Sequence, residues 1–374
     1  MRAIRYYGPA DIRLEEVPEP VAGPGQVKVK VLCGSDLHMY HELVPGLQPT
    51  ATEPHRLTKE TLPIGMGHEF SGTIAELGPN VDTSKYSVGQ HVAIEPLLSC
   101  NKPDCFACRS PNTRNLCPRF GVVGLAGGGG GLAEYVALDQ ELVHVMPAHV
   151  SLEIGALIEP LAVSWRAIKK ANVKAGDSVL ILGAGPIGIL TLKVARVFGA
   201  SWVGISGRGS KRCELARQHG ASAVYDASHA DTDVVAETMK ATDGRGADVV
   251  VDCAGTQATL DTALKAARPA GTVMNVSGWA QPPRIDMNLM LMKELNLANS
   301  VTYSGEHAEV IQAVADGRFD NLESLITRRV ALEDFLEKGL GALMNEKDQH
   351  GKPCGRPSHF LGTHFDPVKV LIHP

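Results

Sequence analysis

The feature of this sequence that most limits its fold is a glycine-rich segment, Gly183-Ala184-Gly185-Pro186-Ile187-Gly188, with the pattern G-x-G-x-x-G. It follows the apolar run 178–182 and opens a helical pattern over 187–198. In that setting the first glycine permits a tight turn, the second lets the backbone approach a pyrophosphate, and the third lets the helix pack closely on the strand. A glycine turn in another α/β fold is the alternative. The context favours a dinucleotide-binding loop, formed by Gly183, Gly185, Pro186, Ile187 and Gly188.

Strands and helices alternate around this loop. The expected strands lie at 178–182, 202–206, 248–252 and 272–276. The expected helices lie at 156–170, 187–198, 211–219 and 260–267. This alternation predicts an α/β fold with a doubly wound parallel sheet, a Rossmann domain.

The first 150 residues have a different pattern. They show short strands at 27–31, 70–77 and 91–94, separated by glycine and proline, and thus predict a second, mainly β domain. A length of 374 residues also fits two domains. The glycine run 127–131 is expected to be a flexible loop.

Composition excludes several classes of function. Asp and Glu outnumber Lys and Arg by 41 to 36, and aromatic residues make up 5% of the chain. Nucleic-acid-binding surfaces usually need a basic excess and stacking aromatics, so no nucleic-acid partner is expected. No apolar run reaches the length of a membrane span, about 18 residues, and the chain does not start with an apolar signal region. We therefore expect a cytoplasmic protein without a membrane partner.

The end of the second Rossmann strand bears on the choice of nicotinamide cofactor. NAD-binding versions usually carry an acid there, which holds the ribose 2′-hydroxyl. This chain instead has Gly207 and Arg208, followed by Lys211 and Arg212. A 2′-phosphate is compatible with this arrangement, so NADP is favoured slightly over NAD. The alternative is that Arg208 is a solvated surface charge.

Half of the eight cysteines fall within 18 residues, in the spacing C-x4-C-x2-C-x8-C. Clustered cysteines in a chain of this kind more often bind metal than form disulfides. Four thiolates in one short loop can wrap a tetrahedral zinc ion, and a closed site of this type is structural. A redox cluster or a chance grouping are the alternatives. The predicted ligands are Cys100, Cys105, Cys108 and Cys117.

Three further segments offer ligands for a second, catalytic metal. Each of them, taken alone, is only weak evidence for a metal site. They are Cys33-Gly34-Ser35-Asp36-Leu37-His38, Gly67-His68-Glu69 and Ile158-Glu159-Pro160. Together with the four cysteines and the fingerprint, they resemble the zinc-containing medium-chain alcohol and polyol dehydrogenases. The resemblance covers nearly the whole chain in the right order. It is strongest to the 2,3-butanediol dehydrogenase branch, through Leu62-Pro63 before the Gly-His-Glu segment, the glycine run and the stretch 155–163.

The resemblance implies a fold and a mechanism. The first domain, 1–154 with 304–374, would be GroES-like, and 155–303 would be the Rossmann domain. Cys33 and His68 would bind catalytic zinc, with Glu69 or Glu159 in the carboxylate position. Ser35 would take the alcohol proton, His38 would pass it to solvent, and hydride would pass to NAD(P) while zinc acts as a Lewis acid. Glu69 could also take part in catalysis.

The resemblance also implies a substrate class and an assembly. A vicinal diol or secondary alcohol is expected, with 2,3-butanediol and acetoin favoured over sorbitol, xylitol or another polyol. Two zinc ions per chain and a homo-dimer or homo-tetramer are expected.

Two departures from the family pattern affect these expectations. Leu32 alone separates the strand ending at Val31 from Cys33, where the family has a longer loop, and this loss could pull Cys33 out of ligand range. A catalytically impaired relative is therefore the alternative function. Near the C-terminus, residues 351–367 form an extra segment rich in glycine, proline and histidine, which predicts an exposed irregular loop.

Overall fold

The computed structural model describes residues 1–34, 47–279, 281–341 and 369–373. They form two compact units. The first comprises the described residues within Met1–Ala162, Thr302–Leu343 and Lys369–Pro374, and the second those within Val163–Val301. The predicted catalytic residues Ser35 and His38 and the extra segment 351–367 lie outside the described residues.

The strands and helices follow the chain in this order. The strands are β1 (Arg2–Gly8), β2 (Asp11–Glu16), β3 (Gln26–Gly34), β4 (Ile64–Gly65), β5 (Phe70–Leu77), β6 (His91–Ile94), β7 (Leu97–Leu98), β8 (Gly121–Val122), β9 (Tyr135–Asp139), β10 (Val143–Val145), β11 (Ser178–Leu182), β12 (Trp202–Gly207), β13 (Ala223–Asp226), β14 (Ala247–Asp252), β15 (Ala267–Asn275), β16 (Asn296–Asn299), β17 (Ile326–Ala331) and β18 (Lys369–His373). The α-helices are α1 (Leu152–Gly155), α2 (Ile158–Lys170), α3 (Pro186–Val197), α4 (Ser210–Gln218), α5 (Val234–Ala241), α6 (Gln257–Ala266), α7 (Met287–Lys293) and α8 (Glu306–Ala315). Short 3₁₀ segments lie at Pro111–Leu116, Gln140–Leu142, Glu323–Leu325 and Leu332–Asp334, and a π-helical segment at Phe335–Gly341.

The main sheet of the first unit is organised around the long strand β3. Its strand order is β10-β6-β5-β3-β18-β17, and β9 also pairs with β3. Along β3, Val27, Val29 and Val31 are buried while the lysines between them are more exposed, the alternation expected of a strand with one face on the core. Since β9 pairs with the start of β3 and β18 with its end, both partners share one edge of the strand.

The second unit contains a six-stranded sheet whose strand order is β13-β12-β11-β14-β15-β16. All of its strand pairs are parallel. This order is that of a Rossmann fold, and it confirms the predicted α/β class. The central strand β11 is buried along its whole length, because helices cover both faces of such a sheet. Of the helices described here in either unit, none combines the length and apolar composition needed to cross a bilayer.

The helical pattern predicted over 156–170 corresponds to α2, and a separate short helix, α1, precedes it. Ser151 caps α1, since its hydroxyl accepts a hydrogen bond from the Ile154 N–H at 3.2 Å. After a turn, α2 starts at Ile158. Glu159 therefore lies in the first turn of α2, where the following proline is tolerated because the first helical N–H groups have no partner in the helix.

The glycine run 127–131 is mostly buried, unlike the flexible loop predicted for it. Gly131 N–H donates to the Gly67 carbonyl at 2.8 Å, and Gly128 N–H donates to a Glu60 carboxylate oxygen at 2.7 Å. A Cβ at Gly130 would lie 2.2 Å from the Met66 carbonyl oxygen, so backbone packs directly on backbone here. The glycines thus serve close packing beside the segment that carries His68.

Candidate metal and dinucleotide sites

One group of metal-binding side chains lies in the first unit, where His68, Glu69 and Glu159 meet. One ligand atom from each lies within 4.8 Å of the others. His68 and Glu69 come from the short connection between β4 and β5, and Glu159 comes from the first turn of α2. Ninety residues separate these segments in the sequence, so only the fold brings them together.

The chemistry of these donors fits zinc. Zinc binds imidazole nitrogen and carboxylate oxygen at about 2.0–2.2 Å, so two ligands of one tetrahedral ion lie about 3.3–3.6 Å apart. Donor atoms that already lie within 4.8 Å of one another need only small side-chain movements to reach that spacing. Glu159 is buried, whereas His68 and Glu69 are half-buried. A catalytic metal site needs this partial access, because one coordination position must stay open for the substrate.

Cys33, the fourth predicted ligand, lies near this group but is not one of its members. It sits at the end of β3, opposite Phe70 on one side and Ile372 on the other, and is fully buried. Its Sγ is 3.1 Å from the Gly34 carbonyl oxygen. A Cβ at Gly67 would lie 2.7 Å from this sulfur, which places Cys33 against the backbone just before His68.

A buried polar cluster that the sequence did not reveal lies in the same unit. Glu95 Oε2 is 3.0 Å from His144 Nε2 and 3.7 Å from His307 Nδ1, and the Gly305 N–H donates to Glu95 Oε1 at 3.0 Å. The His307 ring stacks on His144 and meets the Tyr303 ring edge-on, with centroids 4.5 Å apart. Isolated histidines and a tyrosine carry no local sequence signal, so these contacts emerge only from the fold.

Burial and charge fix the protonation of this cluster. Burial favours the neutral acid at Glu95, but the bond to His144 and the other partners outweigh it and lower its pKa to about 2. Burial lowers the pKa of His307 to about 3. Burial also raises the pKa of Tyr303 well above its usual value, and the Glu159 carboxylate adds to this effect. At neutral pH the cluster therefore holds a carboxylate, a neutral His307 and a protonated Tyr303.

The four predicted thiol ligands also lie together, in a segment that we call the cysteine lobe (residues 100–117). Their sulfurs are within 4.8 Å of one another, with Cys100 to Cys108 at 3.7 Å and Cys105 to Cys117 at 4.0 Å. Four sulfurs about 2.3 Å from one zinc in a tetrahedron are about 3.8 Å apart. The lobe therefore has the dimensions of a closed four-cysteine zinc site.

The Gly183–Gly188 loop has the shape that a pyrophosphate needs. Gly183 has φ +111°, its N–H donates to the Ser206 carbonyl, and helix α3 begins directly after Gly185. No described atom lies within 4 Å of a Cβ built on Gly185, whereas a Cβ on Gly188 would lie 1.8 Å from the Gly183 carbonyl oxygen. One glycine leaves open space at the helix N-terminus, and the other permits close packing of the helix on the strand; the binding of a pyrophosphate here stays a prediction.

The turn after β12 carries the predicted determinants of the cofactor. Gly207 is buried at the strand end, Arg208 is exposed and Arg212 is half-buried on α4. A Cβ at Gly207 would lie 2.6 Å from Ala184 Cβ, so a larger residue needs a shift of the loop. Asp226, the neighbour of Gly207 on β13, accepts hydrogen bonds from Gly209 and Ser228 and so stabilises this turn.

Comparisons with known proteins match two protein-family domains to this chain. Residues 23–148 match the alcohol dehydrogenase GroES-like domain, and residues 186–316 match the zinc-binding dehydrogenase domain. The chain is 37% identical over 378 residues to the (R,R)-butanediol dehydrogenase of Bacillus subtilis (strain 168), covering 100% of both chains.

Two solved structures are similar over the full chain. The crystal structure of 2R,3R-butanediol dehydrogenase from Bacillus subtilis matches with a TM-score of 0.86 and 34% identity, covering 100% of this chain and 99% of the other. A protein from Sinorhizobium meliloti 1021, described as a zinc-binding dehydrogenase and solved bound to NADP, matches with a TM-score of 0.81 and 29% identity, at 100% and 99% coverage. With this similarity over its whole length and both matching domains, the chain belongs to the zinc-containing medium-chain alcohol and polyol dehydrogenases.

Proposed function

We propose that this zinc-dependent dehydrogenase oxidises a vicinal diol or other secondary alcohol and reduces the matching hydroxyketone, with 2,3-butanediol and acetoin as the favoured pair. The observation that carries the proposal is the cluster of His68, Glu69 and Glu159, with its donor atoms within 4.8 Å. The choice of substrate is supported by the similarity to relatives named butanediol dehydrogenases. Sorbitol and xylitol are the second choice.

The residues of the cluster would act by holding the zinc ion and orienting it toward the substrate. His68 would offer an imidazole nitrogen, and Glu69 and Glu159 would offer carboxylate oxygens, to a zinc ion whose Lewis acidity polarises the substrate oxygen. Burial of Glu159 keeps water from its carboxylate, while the half-buried His68 and Glu69 leave access for a small molecule. Ser35 and His38 remain the predicted path for the alcohol proton.

The hydride acceptor would bind at the loop Gly183–Gly188, with NADP favoured over NAD. The absence of an acid at Gly207 and the presence of Arg208 and Arg212 after it support a 2′-phosphate there. The similarity to a zinc-binding dehydrogenase solved with NADP agrees with this preference. The cysteine lobe would hold a second, structural zinc, since its sulfur separations match a four-cysteine zinc site.

We also propose that the two compact units are the two domains expected from the sequence, and that the chain assembles as a homo-dimer or homo-tetramer. Strand β16 is the last strand of the described parallel sheet, and the neighbouring helix α7 exposes Met287, Leu291 and Met292 by 64%, 71% and 80%. Exposed apolar groups beside a free strand edge favour association. The cytoplasmic location stays a prediction.

A catalytically impaired relative is the second candidate. The position of Cys33 favours it, because this residue is part of strand β3 and lies outside the cluster formed by His68, Glu69 and Glu159. Loss of a sulfur ligand weakens a catalytic zinc site, which usually has three protein ligands and one open position. Under this alternative the chain would keep only the zinc of the cysteine lobe.

Zinc analysis and a cofactor-reduction assay separate the two candidates. The purified protein is dialysed, its zinc per chain is measured, and it is assayed on a panel of diols and polyols with NAD and NADP side by side. The proposal expects two zinc ions per chain and turnover of 2,3-butanediol. One zinc per chain together with no turnover on any alcohol would refute it and support the impaired relative.

A further inference from the structure

Ser71 is a buried hydroxyl residue close in sequence to the metal cluster, our term for the group of His68, Glu69 and Glu159. It lies on β5, two residues after Glu69, and is fully buried. Its hydroxyl donates to the carbonyl of Leu152 at 2.6 Å. Since a buried hydroxyl has no water to bond instead, this short hydrogen bond is a firm link between β5 and the start of α1.

The accepting carbonyl belongs to the chain segment that leads to Glu159. Leu152 begins α1, and its carbonyl also accepts a hydrogen bond from the Ala156 N–H at 3.0 Å. The next N–H, that of Leu157, donates to the Ile154 carbonyl at 2.9 Å. Because backbone hydrogen bonds continue through the turn between α1 and α2, a displacement of Leu152 is passed on to Glu159.

Gly155 makes a second contact between α1 and β5. A Cβ built on Gly155 would lie 2.7 Å from the Ser71 Cβ and 2.6 Å from the Met146 Cε. Carbon atoms in relaxed contact are about 3.5–4.0 Å apart, so no side chain fits between the helix and the strand at this point. The hydrogen bond and this close packing together fix the distance between α1 and β5.

These two contacts join the segments that supply the donors of the metal cluster. His68 and Glu69 come directly before β5, and Glu159 comes four residues after Gly155. A metal site tolerates shifts of only about 0.2 Å in its ligand distances. The spacing of α1 and β5 therefore determines whether donors from both segments reach one ion.

We propose that Ser71 is a positioning residue of the metal cluster and acts through its hydrogen bond to Leu152. The bond holds the two donor-bearing segments at the separation that one zinc ion needs. The role of Ser71 is indirect, since its hydroxyl proton is used by the Leu152 carbonyl. This inference rests on the proposed function, because it requires that the metal cluster binds zinc.

The variant Ser71→Ala removes the hydroxyl and leaves the packing against Gly155 in place. Tyr86→Phe is the matched control, because the buried Tyr86 hydroxyl also donates to a backbone carbonyl of the first unit, that of Gln140 at 2.7 Å. Zinc affinity is measured by competition with a chromophoric chelator, alongside thermal unfolding. We expect S71A to weaken the zinc of the metal cluster about 10-fold, the lower end of the effect known for groups that orient metal ligands. Y86F should lose similar stability and keep its zinc affinity.

The reactivity of the cysteine lobe shows which zinc ion is released. Its thiols are protected from a disulfide reagent while they bind zinc, because the thiolates that would attack the reagent are then bound to the ion. S71A should lose the zinc of the metal cluster to the chelator while these thiols stay protected. Equal weakening of both sites would indicate a general loss of stability and would overturn the proposal.

Gly155→Ala changes the same spacing by steric contact and serves as the test if S71A does not fold. The added Cβ must move by about 1 Å to reach a relaxed distance from the Ser71 Cβ, several times the tolerance of a metal site. We expect G155A to weaken the zinc of the metal cluster at least 10-fold. Wild-type zinc affinity in a folded S71A or G155A protein would contradict the role of this contact.

The wild type separates this proposal from the proposed function. A wild-type protein with one zinc per chain would refute both, because the metal cluster would then bind no zinc. A wild-type protein with two zinc ions and an unaffected S71A would refute only the role of Ser71.

Discussion

Replacing Gly130 by alanine should disturb the metal cluster from a distance. The added Cβ would lie 2.2 Å from the Met66 carbonyl oxygen and 2.8 Å from the Met66 nitrogen. Relaxed carbon–oxygen contacts are about 3.3–3.6 Å, so the backbone around Met66 must move by about 1 Å. Met66 is two residues before His68, and a misplacement of about 1 Å at a catalytic group costs about 100-fold in rate.

The expected cost in stability follows from the same contact. Overpacking usually destabilises by about 1–3 kcal/mol, and for a unit of this size about 2 kcal/mol lowers Tm by about 4–8 °C. Gly130→Ala should therefore lose about 100-fold in kcat/KM and part of its zinc affinity while remaining folded at room temperature. Differential scanning calorimetry, zinc analysis and the cofactor-reduction assay measure the three effects.

Gly128→Ala is the matched control within the same run. Gly128 has φ +76°, but the nearest atom to an added Cβ is a Leu98 side-chain carbon at 3.5 Å. The left-handed backbone costs a larger residue about 1–2 kcal/mol, with no push on Met66. This variant should lose similar stability but keep its zinc and activity. Equal losses of activity in the two variants, or a fully active G130A, would refute the steric argument.

The remaining predictions concern other parts of the chain. Cys105→Ser should remove one zinc per chain and lower Tm, as measured by zinc analysis and calorimetry. Arg208→Glu should shift the ratio of kcat/KM for NADP over NAD at least 10-fold toward NAD; an unchanged ratio would mean that Arg208 does not contact the cofactor. Met292→Lys should shift the assembly toward monomer in sedimentation velocity, with unchanged activity per chain. Glu95→Gln should cost up to about 3 kcal/mol at pH 7, because a pKa of about 2 lies below the value of 4.5 for a free Glu. That loss should shrink as pH falls from 4.5 toward 2, since the wild-type carboxylate is protonated there, and urea denaturation at several pH values measures it.

Regular apolar runs in the sequence predicted strands well. The strands expected at 70–77, 91–94 and 178–182 are β5, β6 and β11 with the same bounds. The strand expected at 272–276 is longer, since β15 begins at Ala267. Its first residues include Pro269 and Gly271, which locally favour a turn. They lie in a register shift of the pairing with β14, between Ala267 opposite Ala247 and Thr272 opposite Val249, so the irregularity interrupts the strand without ending it.

The candidate sites also differ in how far they could be predicted from the sequence. The grouping of the four cysteines in the cysteine lobe could be predicted because they are local in sequence and share one chemistry. The cluster of His68, Glu69 and Glu159 could be suggested only through a family resemblance, since spacing carries no information across ninety residues. The contacts of Tyr303 and His307 could not be predicted at all, because they depend on how α8 packs after the Rossmann domain ends.

The cysteine lobe has a consequence for handling the protein. A hydrogen bond from the backbone near Lys102 helps to lower the pKa of Cys100 to about 7, so without metal about half of this thiol would be ionised at neutral pH. Thiolate is the form that air and peroxide oxidise, and the Cys108 sulfur lies only 3.7 Å away, ready to capture the product as a disulfide. Chelators used during purification would therefore turn a reversible loss of metal into covalent damage, and reductant must accompany any attempt to exchange the ion.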